Sequence, residues 1–231
     1  MKTCRALSFG FLLLGLGCAA RAPAANEGGA RIEKLVGALT PAEKISLVSG
    51  NFFDTTAIPR LNIPSIKMTD GPVGVRGGPH TAFPAAINLG ASWNPALVRE
   101  VAAAIADEAK DAGKNMVLGP CVNIARHPFG GRNFESFGED PLLNASLGEE
   151  YVRGVQGQGV LASVKHFAVN DQEIERDTID TIVSRRALFE LHLPAFQAAV
   201  DAGCGSVMSS YNKVNGHWAS ENHELLTNIL K

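Results

Sequence analysis

Lys165 and His166 stand side by side in residues 163–173, which read Ser-Val-Lys-His-Phe-Ala-Val-Asn-Asp-Gln-Glu, and Asp171 and Glu173 follow within seven residues. Four ionisable groups so close together are costly to bury unless each finds a partner. The apolar run Val160, Leu161 and Val164 before them reads as a buried strand. Two readings follow: the charged groups hold a polar ligand at the strand's end, or the strand runs out into a solvated loop. Other positions offer matching chemistry. Asp70, in Thr-Asp-Gly-Pro, is a carboxylate able to accept from two neighbouring hydroxyls, or a turn aspartate before Gly-Pro. Arg132, in Gly-Gly-Arg-Asn-Phe-Glu, offers a fork of donors and also a structural pairing with Glu135; a paired arginine is the better-oriented donor. Tyr211 adds an aromatic face and a hydroxyl, and Met208, three residues earlier, suits a pocket or a core equally. Glu135 and Glu139 are ambiguous, and Asp140 is better explained as a helix cap. Acids, bases and aromatics around a cleft suit a polyol or carbohydrate better than a phosphate. Phe52, Phe53, Phe83 and Trp93 are candidates for its rim.

These side chains need elements to carry them. Ile66 and Met68 alternate with polar neighbours, which predicts a strand ending at Asp70. Further strands are predicted at 115–118, 160–164 and 206–209. Helices lie between them. Asn94-Pro95 opens one whose stripe is Leu97, Val101 and Ile105, flanked by Val98 and Ala102, and Gly113 stops it. Asp140-Pro141 caps a second, with Leu143, Leu147, Tyr151, Val152 and Val155 near one face. Ser184 caps a third that runs to Ala202 and is kinked or split at Pro194. Asn222 caps a last helix. Earlier, Ile32, Leu35, Val36 and Leu39 recur at helical spacing after a polar linker at 23–30, and Thr40-Pro41-Ala42-Glu43 forms a capping box. Strand starts thus recur roughly every 45–50 residues with a helix between, which implies parallel strands in an open doubly wound sheet or a (β/α)8 barrel. No dinucleotide glycine fingerprint or Walker motif is present, since Gly154, Gly157 and Gly159 fall at a helix end. In a barrel, Asp70, the Arg132 loop, Lys165-His166 and Tyr211 all fall on one face, at the strands' C-terminal ends.

The chain has 231 residues, 45% hydrophobic and 19% charged, enough for one sizeable core. Its formal charge of −2 gives no reason to expect nucleic acid or an anionic membrane as partner. Lys2 and Arg5 precede an apolar run from Ala6 to Ala20 with small-residue cleavage sites after it, the pattern of a signal peptide over residues 1–22 and too short for a membrane span. Export to the periplasm or the exterior is expected. Cys18 after Leu16-Gly17 hints at a lipid anchor, but Gly15 sits where an aliphatic residue is expected. Losing Lys2, Arg5 and Arg21 with the leader takes the formal charge to −5, with 18 basic and 23 acidic residues remaining. Cys121 and Cys204 are then left, expected as free thiols. No Cys-x-x-Cys or His-x-x-x-His spacing points to a metal, and no cofactor is expected.

Taken together, Met68-Thr69-Asp70-Gly71-Pro72-Val73-Gly74-Val75-Arg76, Gly119-Pro120-Cys121-Val122-Asn123-Ile124-Ala125-Arg126, Gly131-Arg132-Asn133-Phe134-Glu135-Ser136-Phe137-Gly138-Glu139-Asp140-Pro141, Lys165-His166-Phe167-Ala168-Val169-Asn170-Asp171-Gln172-Glu173 and Val207-Met208-Ser209-Ser210-Tyr211-Asn212 resemble, in order and spacing, segments of glycoside hydrolase family 3, the β-glucosidase-like enzymes. Cys121 stands where a glycine is common. The resemblance covers residues 31–231. It implies an incomplete (β/α)8 TIM-like barrel of about five or six units and a retaining hydrolase of terminal β-linked glucose. It also implies a −1 sugar subsite made by Asp70, Arg132, Lys165, His166 and Tyr211 with Met208 beside it, and cis peptides at Lys165-His166 and Phe167-Ala168.

Retaining chemistry needs two carboxyl groups about 5–5.5 Å apart, one nucleophile and one acid/base. In the family the nucleophile is the Asp of a Ser-Asp-Trp-like segment after the helix that starts near Asn222, and the acid/base is a Glu of a second domain. Both are expected beyond Lys231, so the chain is expected to be an N-terminal fragment, inactive alone, whose partners are the missing C-terminal part and an oligosaccharide or aryl β-glucoside. A β-xylosidase of the same family and a non-catalytic sugar-binding protein are the alternatives. Asp171 and Glu173 are expected to brace their loop against Arg176.

Overall fold

The computed structural model describes residues 25–231. The leader, Cys4 and Cys18 lie outside the described residues. Contacts divide the chain into two units, with the boundary between Lys44 and Ile45. In the first, α1 (Ala25–Ala38) takes in most of the expected linker. Ala25, Glu27 and Ala30 favour helix enough to carry Gly28 and Gly29 with them. The capping box forms as expected before α2 (Pro41–Ser49): Glu43 N donates to Thr40 Oγ1 at 3.3 Å, and Thr40 N donates to Glu43 Oε2 at 2.8 Å.

The second unit is an α/β fold around one parallel sheet. Its four strands are β1 (Met68–Asp70), β2 (Met116–Leu118), β3 (Leu161–Phe167) and, after a two-residue strand β4 (Asp180–Thr181) that lies elsewhere, β5 (Ser206–Ser209). They pair in the order β1-β2-β3-β5, with Asp70 opposite Leu118 and Val117 opposite Ala162. Sequential order without reversal is the order of a (β/α)8 barrel and not of a doubly wound sheet, which reverses at its switch point. The sheet holds four strands among the described residues, fewer than the five or six units expected. The chain after β3 and after β5 is spent on loops and on a small second sheet of β4, β6 (Lys213–Val214) and β7 (His217–Trp218).

Helices follow each strand. After the short α3 (Ala86–Ala91) come α4 (Pro95–Asp111) and α5 (Pro141–Gly157), capped by Asn94 and Asp140, whose side chains accept from Leu97 N and Leu143 N. On α4 the buried face is Val98, Ala102, Ile105, Ala106 and Ala109, while Leu97 stays exposed. Ala102 and Ala103 stand where α4 comes closest to Gly154 of α5, and Arg99 pairs with Glu150 beside them. A Cβ at Gly154 would stand 2.4 Å from Arg99 O, so the two helices touch backbone to backbone. The helix expected over 184–202 is split, as Pro194 requires: α6 (Arg185–Ala187), one π-helical turn over Leu188–His192, then α7 (Pro194–Asp201). β3 is buried on both faces from Ala162 to Phe167, as an internal parallel strand should be. Lys165 and His166 therefore lie inside the strand, not after it. No helix among the described residues is long and apolar enough to cross a membrane.

Candidate functional site

The site is assembled where β1, β2 and β3 end. β3 carries Lys165 and His166 through the sheet, and both are buried. The Lys165-His166 and Phe167-Ala168 bonds are cis, as is Gly119-Pro120. Beyond β2 the chain stays paired to β3: Lys165 N donates to Pro120 O at 2.9 Å and Val122 N to Lys165 O at 2.8 Å. That pairing sets Cys121 and Asn123 beside His166.

Lys165 Nζ donates to Asp70 Oδ1 at 2.6 Å, with the Lys165 side chain 3% exposed and that of Asp70 24%. Arg76 Nη1 lies 3.4 Å from the other oxygen, Oδ2. Arg132 grips Glu135 twice, Nη2 to Oε2 at 2.7 Å and Nε to Oε1 at 3.3 Å, and Glu135 is buried. The remaining Nη1 lies 3.0 Å from His166 Nε2. Gly131 makes room for this turn: its φ is +81°, and a Cβ would stand 2.9 Å from Glu173 Cβ. Glu173 accepts from Asn170 Nδ2 at 3.0 Å and from Arg176 Nη1 at 2.7 Å. The Arg176 guanidinium in turn lies 4.2 Å above the Tyr211 ring, whose centroid is 5.7 Å from that of His166. Burial, with Arg132, Lys165 and Arg176 adding their charge, holds the His166 pKa down to about 2, so the ring is neutral at any physiological pH. Burial also pushes the Cys121 thiol up to about 11, with Glu135 adding to it; Cys121 and Cys204 are both free. Beside Asp70 and Arg76, a cleft of about 540 Å³ opens past Phe52 and Phe53. It is of the size that takes a small ligand.

The arrangement is a ring of fixed donors and acceptors at one sheet edge. The glycosyl hydrolase family 3 N-terminal domain matches residues 31–231, nearly the whole of the described chain. The chain belongs to glycosyl hydrolase family 3. Among its relatives, a β-glucosidase of Rhizobium radiobacter is 47% identical over 209 residues, covering 87% of this chain and 26% of that protein. A probable β-glucosidase I of Neosartorya fischeri is 46% identical over 208 residues, covering 87% and 25%. Similar solved structures include β-glucosidase 3B from Thermotoga neapolitana in complex with glucose (TM-score 0.83, 38% identity, 87% of this chain and 32% of that one). Another is the β-glucosidase from Kluyveromyces marxianus in complex with glucose (TM-score 0.84, 39% identity, 87% and 25%). This family 3 chain thus spans about a quarter of the length of the curated relatives it matches.

Of the residues singled out from the sequence, Asp70 and Lys165 meet directly, and Arg132 and His166 meet directly. Tyr211 joins through its ring contact with His166. Met208 lies half-buried on β5, the strand paired with β3, and its thioether takes no part in the polar set. Trp93 is exposed and Phe83 packs against the core, whereas Phe52 and Phe53 do line the cleft. Arg76 and Asn123 were missed. Arg76 was legible only as a cation in a glycine-rich loop six residues after Asp70. The bracing role expected of the acid pair holds for Glu173 alone. Asp171 instead faces His192 Nδ1 at 3.5 Å, and neither of its buried oxygens has a hydrogen-bond partner.

That contact makes a pH prediction. Burial pushes Asp171 up to about 7 and His192 down to about 4, with Arg126 acting on both. The folded carboxyl binds protons that the unfolded one has released, so its contribution to stability falls as pH rises from the ordinary carboxylate range to about 7. The imidazole does the reverse between about 4 and its ordinary value, so the two nearly cancel at mildly acidic pH. Asp171→Asn removes only the first. We expect equal stability at low pH and, at pH ~8, a variant on the order of 2–4 kcal/mol more stable than wild type, read by urea unfolding. A wild-type protein that is the more stable of the two at that pH contradicts this assignment.

Proposed function

We propose that the chain forms the glycone-binding part of a retaining, exo-acting β-glucosidase, holding the terminal non-reducing glucose in the −1 subsite. Asp70, Arg132, Lys165, His166 and Tyr211 bind the sugar, with Met208 beside it and Arg76 joining Asp70. The observation that carries this reading is the Lys165–Asp70 pair beside the Arg132–His166 contact: two anchored donor–acceptor pairs at one sheet edge, next to an open cleft. A pyranose presents adjacent hydroxyls, each both donor and acceptor. It is matched by a carboxylate that accepts and cations that donate, all held by the fold before the ligand arrives.

Three carboxylates at this site are already engaged. Asp70 is held by Lys165 and Arg76, Glu135 by Arg132, and Glu173 by Arg176 and Asn170. None is offered to an anomeric carbon or to a glycosidic oxygen. Membership of family 3, whose nucleophile lies in a Ser-Asp-Trp-like segment and whose acid/base is a Glu of a second domain, supports assigning both to residues beyond Lys231, in the remainder of a longer, exported protein in which the four strands continue into a (β/α)8 barrel. The names of the relatives and the glucose bound to two of the similar structures support glucose as the sugar.

The test is hydrolysis of aryl β-glucosides. The chain with its downstream part should release β-glucose first, and prefer glucosides to xylosides, while residues 1–231 alone release none. Turnover by the 231-residue chain alone, or α-glucose as first product, contradicts the proposal.

A further inference from the structure

Asn123 lies beyond β2, buried, and its side chain is spent on His166 apart from a weak contact of Oδ1 with Cys121 Sγ at 3.7 Å. Its Nδ2 donates to His166 O at 2.9 Å, and its Oδ1 accepts from His166 N at 2.9 Å. A backbone carbonyl can only accept and a backbone N–H can only donate, so these two bonds fix which end of the amide is oxygen. That oxygen also lies 3.2 Å from His166 Nδ1. An amide oxygen cannot donate, so the contact is a hydrogen bond only if Nδ1 carries the proton. On the other side of the ring, Arg132 Nη1 lies 3.0 Å from Nε2, and a guanidinium cannot accept. Nε2 must therefore offer its lone pair.

We infer that Asn123 is a positioning residue: its amide holds His166 as the neutral Nδ1–H tautomer, so that Nε2 presents its single lone pair, which Arg132 Nη1 takes here and which a hydroxyl of the bound sugar takes by displacing Arg132. The charges around the ring agree, since Arg132, Lys165 and Arg176 all oppose an imidazolium. Cys121 Sγ, 3.8 Å from Nδ1, sits behind the same nitrogen as a weak second contact. The clamp also decides what the site selects. A ring fixed this way accepts from the sugar and never donates to it, so the hydroxyl facing His166 must keep its proton. An O-methyl group at that position removes the donor, whereas Lys165 and Arg132 tolerate an acceptor at the positions they face. This specificity rests on the sugar-binding reading above; the tautomer does not.

The test uses the chain labelled with ¹⁵N-histidine, with glucose as the probe. Two-dimensional NMR should show His166 with a pyrrole-type Nδ1 and a pyridine-type Nε2, unchanged from pH ~5 to ~8, where an ordinary histidine titrates near 6.5. A proton on Nε2, or an ordinary titration, overturns the inference whatever the variants do. Asn123→Leu removes the acceptor at similar volume. It should lose the single tautomer and weaken glucose binding about tenfold, the cost of roughly one misplaced hydrogen bond. Asn123→Asp keeps an acceptor and should keep the proton on Nδ1, with its first protonation moved to higher pH. A leucine variant that retains both the tautomer and the affinity shows that Asn123 does not set them. A wild-type ring in the stated form in a chain that does not bind glucose upholds the tautomer and overturns the proposed function, so the two failures are separable.

Discussion

Replacing Lys165 with methionine should abolish detectable glucose binding and destabilise the fold by about 2–4 kcal/mol. The ammonium is almost fully buried and contacts Asp70 at 2.6 Å. Methionine keeps most of the side-chain volume and removes the charge. Breaking a buried pair leaves the remaining ion uncompensated, typically at a cost of about 3–5 kcal/mol. Asp70 is partly exposed and keeps Arg76 at 3.4 Å, so the lower part of that range is expected. Stability and binding are separable by a second change. Asp70→Asn in the Lys165→Met background removes the stranded charge and should restore much of the stability, but not the binding, since both groups that would hold the sugar's hydroxyls are gone. Recovery of binding together with stability would mean that the pair is structural only.

Glu135→Ala should have the largest effect on stability, about 3–5 kcal/mol, and also weaken glucose binding. Glu135 is buried, and both its oxygens are taken by Arg132, whose side chain is itself 19% exposed. Without the carboxylate, the only carboxylate left near a largely buried guanidinium, among the described residues, is the distant Glu173 at 3.8 Å. It would no longer be aimed at His166. Arg132→Ala should be no milder, because it strands the buried carboxylate instead. Thermal or urea unfolding of the two single variants and the double variant gives the coupling energy directly. Additive effects would show that the pair does not act as a unit.

Much of this was written locally in the chain. The four strand–helix alternations, the caps at Thr40, Asn94, Asp140, Ser184 and Asn222, and the split at Pro194 all follow from residue types a few positions apart, and sequence reading recovers such signals. The Arg132–Glu135 pair is legible for the same reason: three residues separate the partners. What the sequence hides is tertiary. Asn123 acts on a residue 43 positions away, through contacts that exist only because the chain after β2 stays paired to β3. Asp171 reads as a brace against Arg176 until the π-helical turn at Leu188–His192 brings His192 Nδ1 to 3.5 Å from it. On α4 Ile105, Val98 and Ala102 are buried as read, but Leu97 is not, because the buried face is centred on the flank, where Ala102 allows the close approach to Gly154. All four strands read from the sequence are present, but the five or six barrel units that the resemblance implies exceed them, because the chain after β3 and β5 builds loops and a second small sheet, neither of which continues the first.

Asp70, Lys165, Arg132 and His166 are proposed to form one sugar subsite together. A crystal structure of the chain grown with glucose tests this most directly. One glucose is expected beside the cleft, its adjacent hydroxyls within hydrogen-bond distance of Asp70 and Lys165, with Arg132 donating to a sugar oxygen and a hydroxyl replacing it at His166 Nε2. Glucose bound elsewhere, or no glucose at saturating concentration with the Lys165–Asp70 and Arg132–His166 contacts unchanged, would contradict it.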